Sequence, residues 1–158
     1  MARLLLIVAF VVGTFVVALP STSEAQDLSA AEQQYVGRTL TLFEMTIASF
    51  ERVNDLTADP RMLESDWQGD FIGETAVWKA IYQESVEIHA PVRFKEANDK
   101  AVEAYKYLND AAREMRQAVE TTDPVAIARV AETLSPSSDA MEEAARLLAE
   151  AGEGNGGA

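Results

Sequence analysis

The chain contains no cysteine. That absence excludes disulfide bridges, Cys–zinc sites, c-type haem attachment and thiol chemistry, and it leaves no thiol for a lipid anchor. Histidine is almost as scarce, with His89 the single example. A di-iron carboxylate centre in a helical bundle wants two Glu-x-x-His motifs, and Val86 stands three residues before His89. A bundle haem wants a histidine and a methionine, or two histidines, facing one core. Here His89 falls at a helix end and Met45 on an outer face. Basic residues are few, 13 Lys and Arg against 26 Asp and Glu, for a net charge of −13. No dense basic run is available to meet phosphates, so nucleic acid and anionic lipid surfaces are excluded as natural partners. Acidity of this kind serves solubility. Proline and glycine are also sparse, 5 and 8 residues, and no stretch alternates apolar and polar residues with period two, so strands are not expected.

What is present begins with the one long hydrophobic run. Met-Ala-Arg is followed by an almost wholly apolar stretch from Leu4 to Leu19, then Pro20 and Ser23-Glu24-Ala25. A basic tip, an apolar core and a small-x-small end are the pattern of a secretory signal peptide cleaved before Gln26. The expectation is therefore an exported protein, periplasmic or extracellular, with residues 1–25 removed and no membrane contact afterwards. The alternative is an uncleaved N-terminal anchor, for which the run is slightly short of the ~20 residues of a relaxed span. The remainder is about one domain in length, enough to bury a core without disulfides.

Four helical stripes follow. Val36, Leu40, Phe43, Ile47 and Phe50 fall at spacings of four and three, with Tyr35, Leu42 and Val53 widening that face on one side. Ser29 to Glu32 has capping-box spacing. Asp59-Pro60 marks a loop, after which Ser65 or Asp66 can cap a second helix carrying Trp67, Phe71, Trp78, Ile81, Tyr82 and Ile88 inward. Gly69 and Gly73 predict a ragged start, and Ala90-Pro91 a stop. The third stripe is Phe94, Asn98, Ala101, Tyr105, Leu108, Ala112, Met115 and Val119, beside an alanine column at 97, 104, 111 and 118. The outer pairs Glu96/Lys100 and Lys106/Asp110 have i,i+4 spacing. Thr122 or Asp123 caps the fourth helix, whose stripe is Ile127, Ala131, Leu134, Ser138, Met141, Ala145 and Leu148. Pro136 interrupts it and predicts a kink or break. The expected fold is all-α, an up-down-up-down four-helix bundle over residues 26–151. Its helices are expected at about 28–56, 66–89, 92–120 and 123–151, with 152–158 a disordered tail.

No nucleophile elbow, P-loop or Gly-x-Gly-x-x-Gly occurs. Asp55, Asp59, Glu64, Asp66, Asp70 and Glu74 concentrate carboxylates in one segment, but without the Asp-x-Asp-x-Asp-Gly pattern of a calcium loop. They read as loop acids and as helix-start charges that complement the dipole. His89 reads as a helix-end residue near free carbonyls. The Trp67, Phe71, Trp78, Tyr82 column reads as core before it reads as a ligand pocket. No catalytic, cofactor or metal residue is therefore assigned.

Trp67, Trp78, Ala90-Pro91, Phe94, Ala101 and Tyr105, with the alanine-rich stripes after them, resemble exported or lipid-anchored bacterial helical-bundle domains of uncharacterised role. The chain departs from the lipid-anchored kind in lacking the signal cysteine. The resemblance implies a bundle and export, and carries no functional residue across. Leu28-Ser29-Ala30-Ala31-Glu32-Gln33 is also similar to the Leu-Thr-x-x-Gln segment of periplasmic Spy-like chaperones. The function expected is a non-enzymatic binding or interaction module for a protein or small apolar ligand, with self-association left open. Tyr35, Leu42 and Val53 are the expected interaction surface, because the first helix has more apolar width than one neighbour requires. The alternatives are an envelope chaperone presenting that surface to clients, and a carrier of an apolar ligand along the Trp67/Trp78 column.

Overall fold

The structure is a computed structural model that describes residues 28–153, apart from the side chains of Ala128, Ala131 and Glu153. The expected export signal, 1–25, lies outside the described residues, as does 154–158 of the expected tail. Among the described residues there are four α-helices and no strand: α1 Ala30–Ala58, α2 Ser65–Glu87, α3 Lys95–Glu120 and α4 Pro124–Glu153, with a 3₁₀ turn at Val92–Phe94. The fold is all-α.

Each helix boundary has a local cause. Ser29 caps α1: its hydroxyl accepts from the Glu32 amide at 3.3 Å while the Glu32 carboxylate accepts from the Ser29 amide at 2.8 Å, a complete capping box. The Leu28–Gln33 segment is thus a helix start built by its own side chains. α1 runs past Asn54 to Ala58, where the Thr57 hydroxyl donates to the Val53 and Asn54 carbonyls. α2 starts at Ser65 without the expected side-chain cap from Ser65 or Asp66; Glu64 is its N-cap and makes no capping hydrogen bond. Gly69 and Gly73 sit inside continuous helix. α2 ends before Ala90-Pro91, which cannot continue it.

At the end of α3 the Asp123 amide donates to the Ala118 carbonyl and the Thr122 amide to the Val119 carbonyl. This is a Schellman turn, with Thr122 at φ 53 in the left-handed region that glycine usually fills. Asp123 then caps α4, its carboxylate accepting from the Val125 and Ala126 amides. Pro136 does not break α4, which is assigned as one helix across it. The neighbouring Ser137 is buried and donates to the Ala104 carbonyl of α3 at 2.9 Å, so tertiary packing holds the segment that proline weakens. Gly152 does not end α4 either. The Arg93 guanidinium donates to the Ala151 and Gly152 carbonyls and supplies the missing cap.

Cross-helix pairs give the directions. Arg38 meets Glu84, Ser49 meets Trp78, and Trp67 meets the Leu56 carbonyl, so α1 and α2 are antiparallel. Thr133 meets Glu114 and Ser137 meets Ala104, so α3 and α4 are antiparallel. Tyr35 stacks on Phe94 and Phe43 lies against Tyr105, so α1 and α3 run the same way.

The core joins all four helices. The turn before α3 presents Phe94 to it and α3 presents Ala97, Ala101, Ala104, Tyr105, Leu108, Ala111, Ala112, Met115, Ala118 and Val119, so both columns are buried except at Asn98, which is half-buried. The alanines leave room for α4 to approach α3 closely. On the outer face of α3 the expected i,i+4 pairs give way to others: Lys95 with Asp99, Lys100 with Glu103, and Arg113 with Asp110.

Candidate functional site

Tyr35, Leu42 and Val53, the expected interaction surface, are 3%, 4% and 3% exposed. They are core, and the expectation that they form an open patch is corrected. The physical reason lies in three hydroxyl residues. The inward seam of α1 is Tyr35, Thr39, Leu42, Thr46, Ser49 and Val53, an unbroken four-three repeat. Thr39, Thr46 and Ser49 read as polar in the sequence, which turned the expected face towards Val36, Leu40 and Ile47. Those three are only half-buried. The error is about one residue step, roughly 100° of helix rotation.

The seam tolerates hydroxyls because each is satisfied locally. Thr39 donates to the Tyr35 carbonyl at 3.0 Å and Thr46 to the Leu42 carbonyl at 2.8 Å. Ser49 reaches further. It donates to the Glu74 carboxylate at 2.5 Å and accepts from the Trp78 indole N–H at 2.8 Å. Glu74 also accepts from Arg52 at 2.5 Å. A buried tryptophan, a buried serine and a carboxylate of the acidic segment thus form one polar chain from core to surface. A shift of one residue recurs in α4, where Ser137 and Ala144 are buried in place of the expected Ser138 and Ala145.

Two polar groups in the α1–α3 seam are poorly satisfied. The hydroxyls of Tyr35 and Tyr105 are buried and make no hydrogen bond of good geometry, with only the Thr39 and Thr46 side chains as polar company. Burial pushes both phenols above their usual range, Tyr105 strongly, because an ionised phenolate could not be solvated there.

The remaining candidates disperse. Among the described residues no three His, Asp or Glu side chains converge to hold a metal ion. Of the acidic segment, Asp59 and Glu64 pair with Arg61, and Glu74 belongs to the Ser49 chain. His89 is exposed, its ring Nδ1 3.0 Å from the Glu87 carbonyl. Trp67 and Trp78 are packed against rings, Trp67 to Phe71 at 4.8 Å and Trp78 to Phe50 at 5.6 Å, and both indole N–H groups are bonded. An open depression of ≈340 Å³ lies where α3 turns into α4, bordered by Glu114, Asp123 and Arg129. The exposed large apolar residues are Met45, Leu63, Val86, Val92 and Val125, of which Val92 at 94% and Leu63 at 89% stand in connections between helices.

Arg93 is the most connected surface group. Half-buried, it caps α4 through the Ala151 and Gly152 carbonyls, pairs with Glu32 of α1 at 3.5 Å, and lies over the Phe94 ring at 5.2 Å. No signal in the sequence marks it, because its partners are backbone carbonyls about sixty residues away. No helix among the described residues is long and apolar enough to cross a membrane. Comparison of the chain with family models, with curated proteins and with solved structures finds no match in any of the three.

Proposed function

We propose that the chain is an exported, non-enzymatic helical binding module. The observation that carries this reading is the engagement of its carboxylates in helix caps and ion pairs. Those whose titration moves, Glu32, Glu103 and Glu143, all move down, each chiefly through a hydrogen bond from a neighbouring side chain. They are ionised partners of Ser29, Lys100 and Arg146, engaged in holding helices. A general acid needs the opposite, a carboxyl held protonated in a cleft. Glu74, a half-buried carboxylate, is tied to Ser49 and Arg52. What the fold does hold is buried aromatic area: Tyr35, Phe43 and Phe50 of α1 each face a ring of α2, of α3 or of the turn before α3.

Two narrower readings are a carrier of an apolar ligand and a chaperone. A carrier would use the Trp67/Trp78 column, whose rings and N–H groups already have partners within the protein. A chaperone needs exposed apolar area of several hundred Å², which the three ring pairs under α1 supply only when α1 moves away. Export rests on the Leu4–Leu19 run and Ser23-x-Ala25. Native mass spectrometry of the protein purified from its own host tests the reading. The expected result is a mature chain starting at Gln26 and carrying a stoichiometric polypeptide or a second copy. A bound metal or organic cofactor, with a turnover that one carboxylate substitution abolishes, overturns it.

A further inference from the structure

We propose that α1 is a detachable strap, which swings away as a unit about the Asp59–Glu64 connection while α2, α3 and α4 stay together. The proposal deepens the binding reading and rests on it for its purpose, since the face uncovered is the apolar surface that reading requires.

Four observations converge on α1. Three of the eight buried residues of α1, Thr39, Thr46 and Ser49, are serine or threonine, whereas the buried face of α3 carries none. Next, the seam holds the two buried phenol hydroxyls that make no hydrogen bond of good geometry, Tyr35 on α1 and Tyr105 on α3. A buried donor left poorly paired weakens the contact that buries it, and opening the seam returns both to water. Third, α3 and α4 approach closely along their small residues, while α1 stands off α3 on large rings, Tyr35 to Phe94 at 5.3 Å and Phe43 to Tyr105 at 6.3 Å. Finally, the ion pairs of α1 lie at its rim, and the one buried hydrogen-bond chain across to α2, Trp78 to Ser49 to Glu74, is what opening must break. Arg38 with Glu84 and Arg52 with Glu74 involve largely exposed arginines, and such pairs hold weakly in water. The Glu32–Arg93 pair is the exception, half-buried at the end far from the hinge, where a latch belongs.

Opening needs no other helix to unfold. α1 is joined to α2 only by the six residues between Ala58 and Ser65. The motion uncovers Tyr35, Phe43 and Phe50 on the strap and Phe94, Tyr105 and Trp78 on the body.

Native-state hydrogen exchange of the full chain, read by mass spectrometry, tests this. The centre of α1, residues 42–50, is expected to exchange at least about tenfold faster than residues 104–112 of α3, through an opening that leaves α3 and α4 protected. Equal protection of the two segments overturns the strap. Tyr35→Phe combined with Tyr105→Phe removes the poorly paired hydroxyls and is expected to slow exchange in α1 by about fivefold or more. No change, or faster exchange, overturns the seam as the origin of the opening. Nile red, a neutral apolar dye, is then added to both proteins. Dye uptake that follows the exchange of α1 supports the uncovered face, and uptake indifferent to it overturns that face as apolar surface. An α1 that opens in a chain holding no partner keeps the strap and removes the binding reading; a partner held with α1 fully protected does the reverse.

Discussion

At the scale of single residues, burial rather than residue class decides what a position does. Leu42 is buried, so Leu42→Glu is expected to unfold the domain, with far-UV circular dichroism as the readout. Phe43→Ala and Leu108→Ala should each cost ~2–5 kcal/mol by denaturant titration, the range for large-to-small core changes. Met45, 41% exposed on the same helix, should lose less than ~1 kcal/mol on replacement by alanine. Equal costs at Met45 and Phe43 would contradict the phase of α1. Ser49 is a sharper case because of what it serves. Ser49→Ala leaves the Trp78 indole N–H unpaired inside the protein and deprives Glu74 of a donor. The expected loss is ~1–3 kcal/mol. Ser49→Ala with Trp78→Phe should lose less than the sum of the two single changes, since the pair acts as one unit.

At the scale of elements, α2 contains its own weakness. Gly69 and Gly73 lie within the helix, and a Cβ at either would meet nothing within 4 Å. Gly69→Ala and Gly73→Ala are each expected to stabilise by ~0.5–1 kcal/mol, chiefly by restricting the unfolded chain, visible as a higher Tm. A lower Tm at either position would mean that its exposed face meets something outside the described residues. The elements also show what a sequence can and cannot disclose. The all-α class and four helices were legible because the three-four repeat survives in every segment, and both columns of α3 were legible because, Asn98 apart, they are apolar or small. The rotation of α1 was not. Thr39, Thr46 and Ser49 hide inside by donating to carbonyls one turn back or to Glu74, and composition counts them as surface. Gly152 was read as a helix stop for a similar reason: its cap arrives from Arg93, a partner that no local pattern announces. The candidate surface failed with the rotation, since Tyr35, Leu42 and Val53 were assigned to a flank that is the seam itself.

At the scale of the whole molecule, titration sets the limits of stability. Glu32, Glu103 and Glu143 are held below the ordinary carboxylate range in the folded chain. Each contributes stability that is present above that range and is lost as pH falls through the folded values, because the unfolded chain takes up protons first. Tyr35 and Tyr105 act at the other limit: their raised values mean that the unfolded chain releases protons first, so stability falls once pH passes the ordinary phenol range. A plot of Tm against pH should therefore be flat near neutrality and fall at both ends. Glu32→Gln should flatten the acid side, and Tyr35→Phe with Tyr105→Phe the alkaline side. The guanidinium of Arg93 ties these scales together, because it touches the opening turn of α1 and the closing turn of α4 at once. Thermodynamic reciprocity then requires that whatever strengthens one of these turns by holding Arg93 in place strengthens the other to the same degree. Deleting the residues after Leu148 should quicken amide exchange in the first turn of α1, more than a hundred positions away in the chain. An event at either extremity, whether a cut, a fused tag or a bound partner, is a signal the opposite extremity receives.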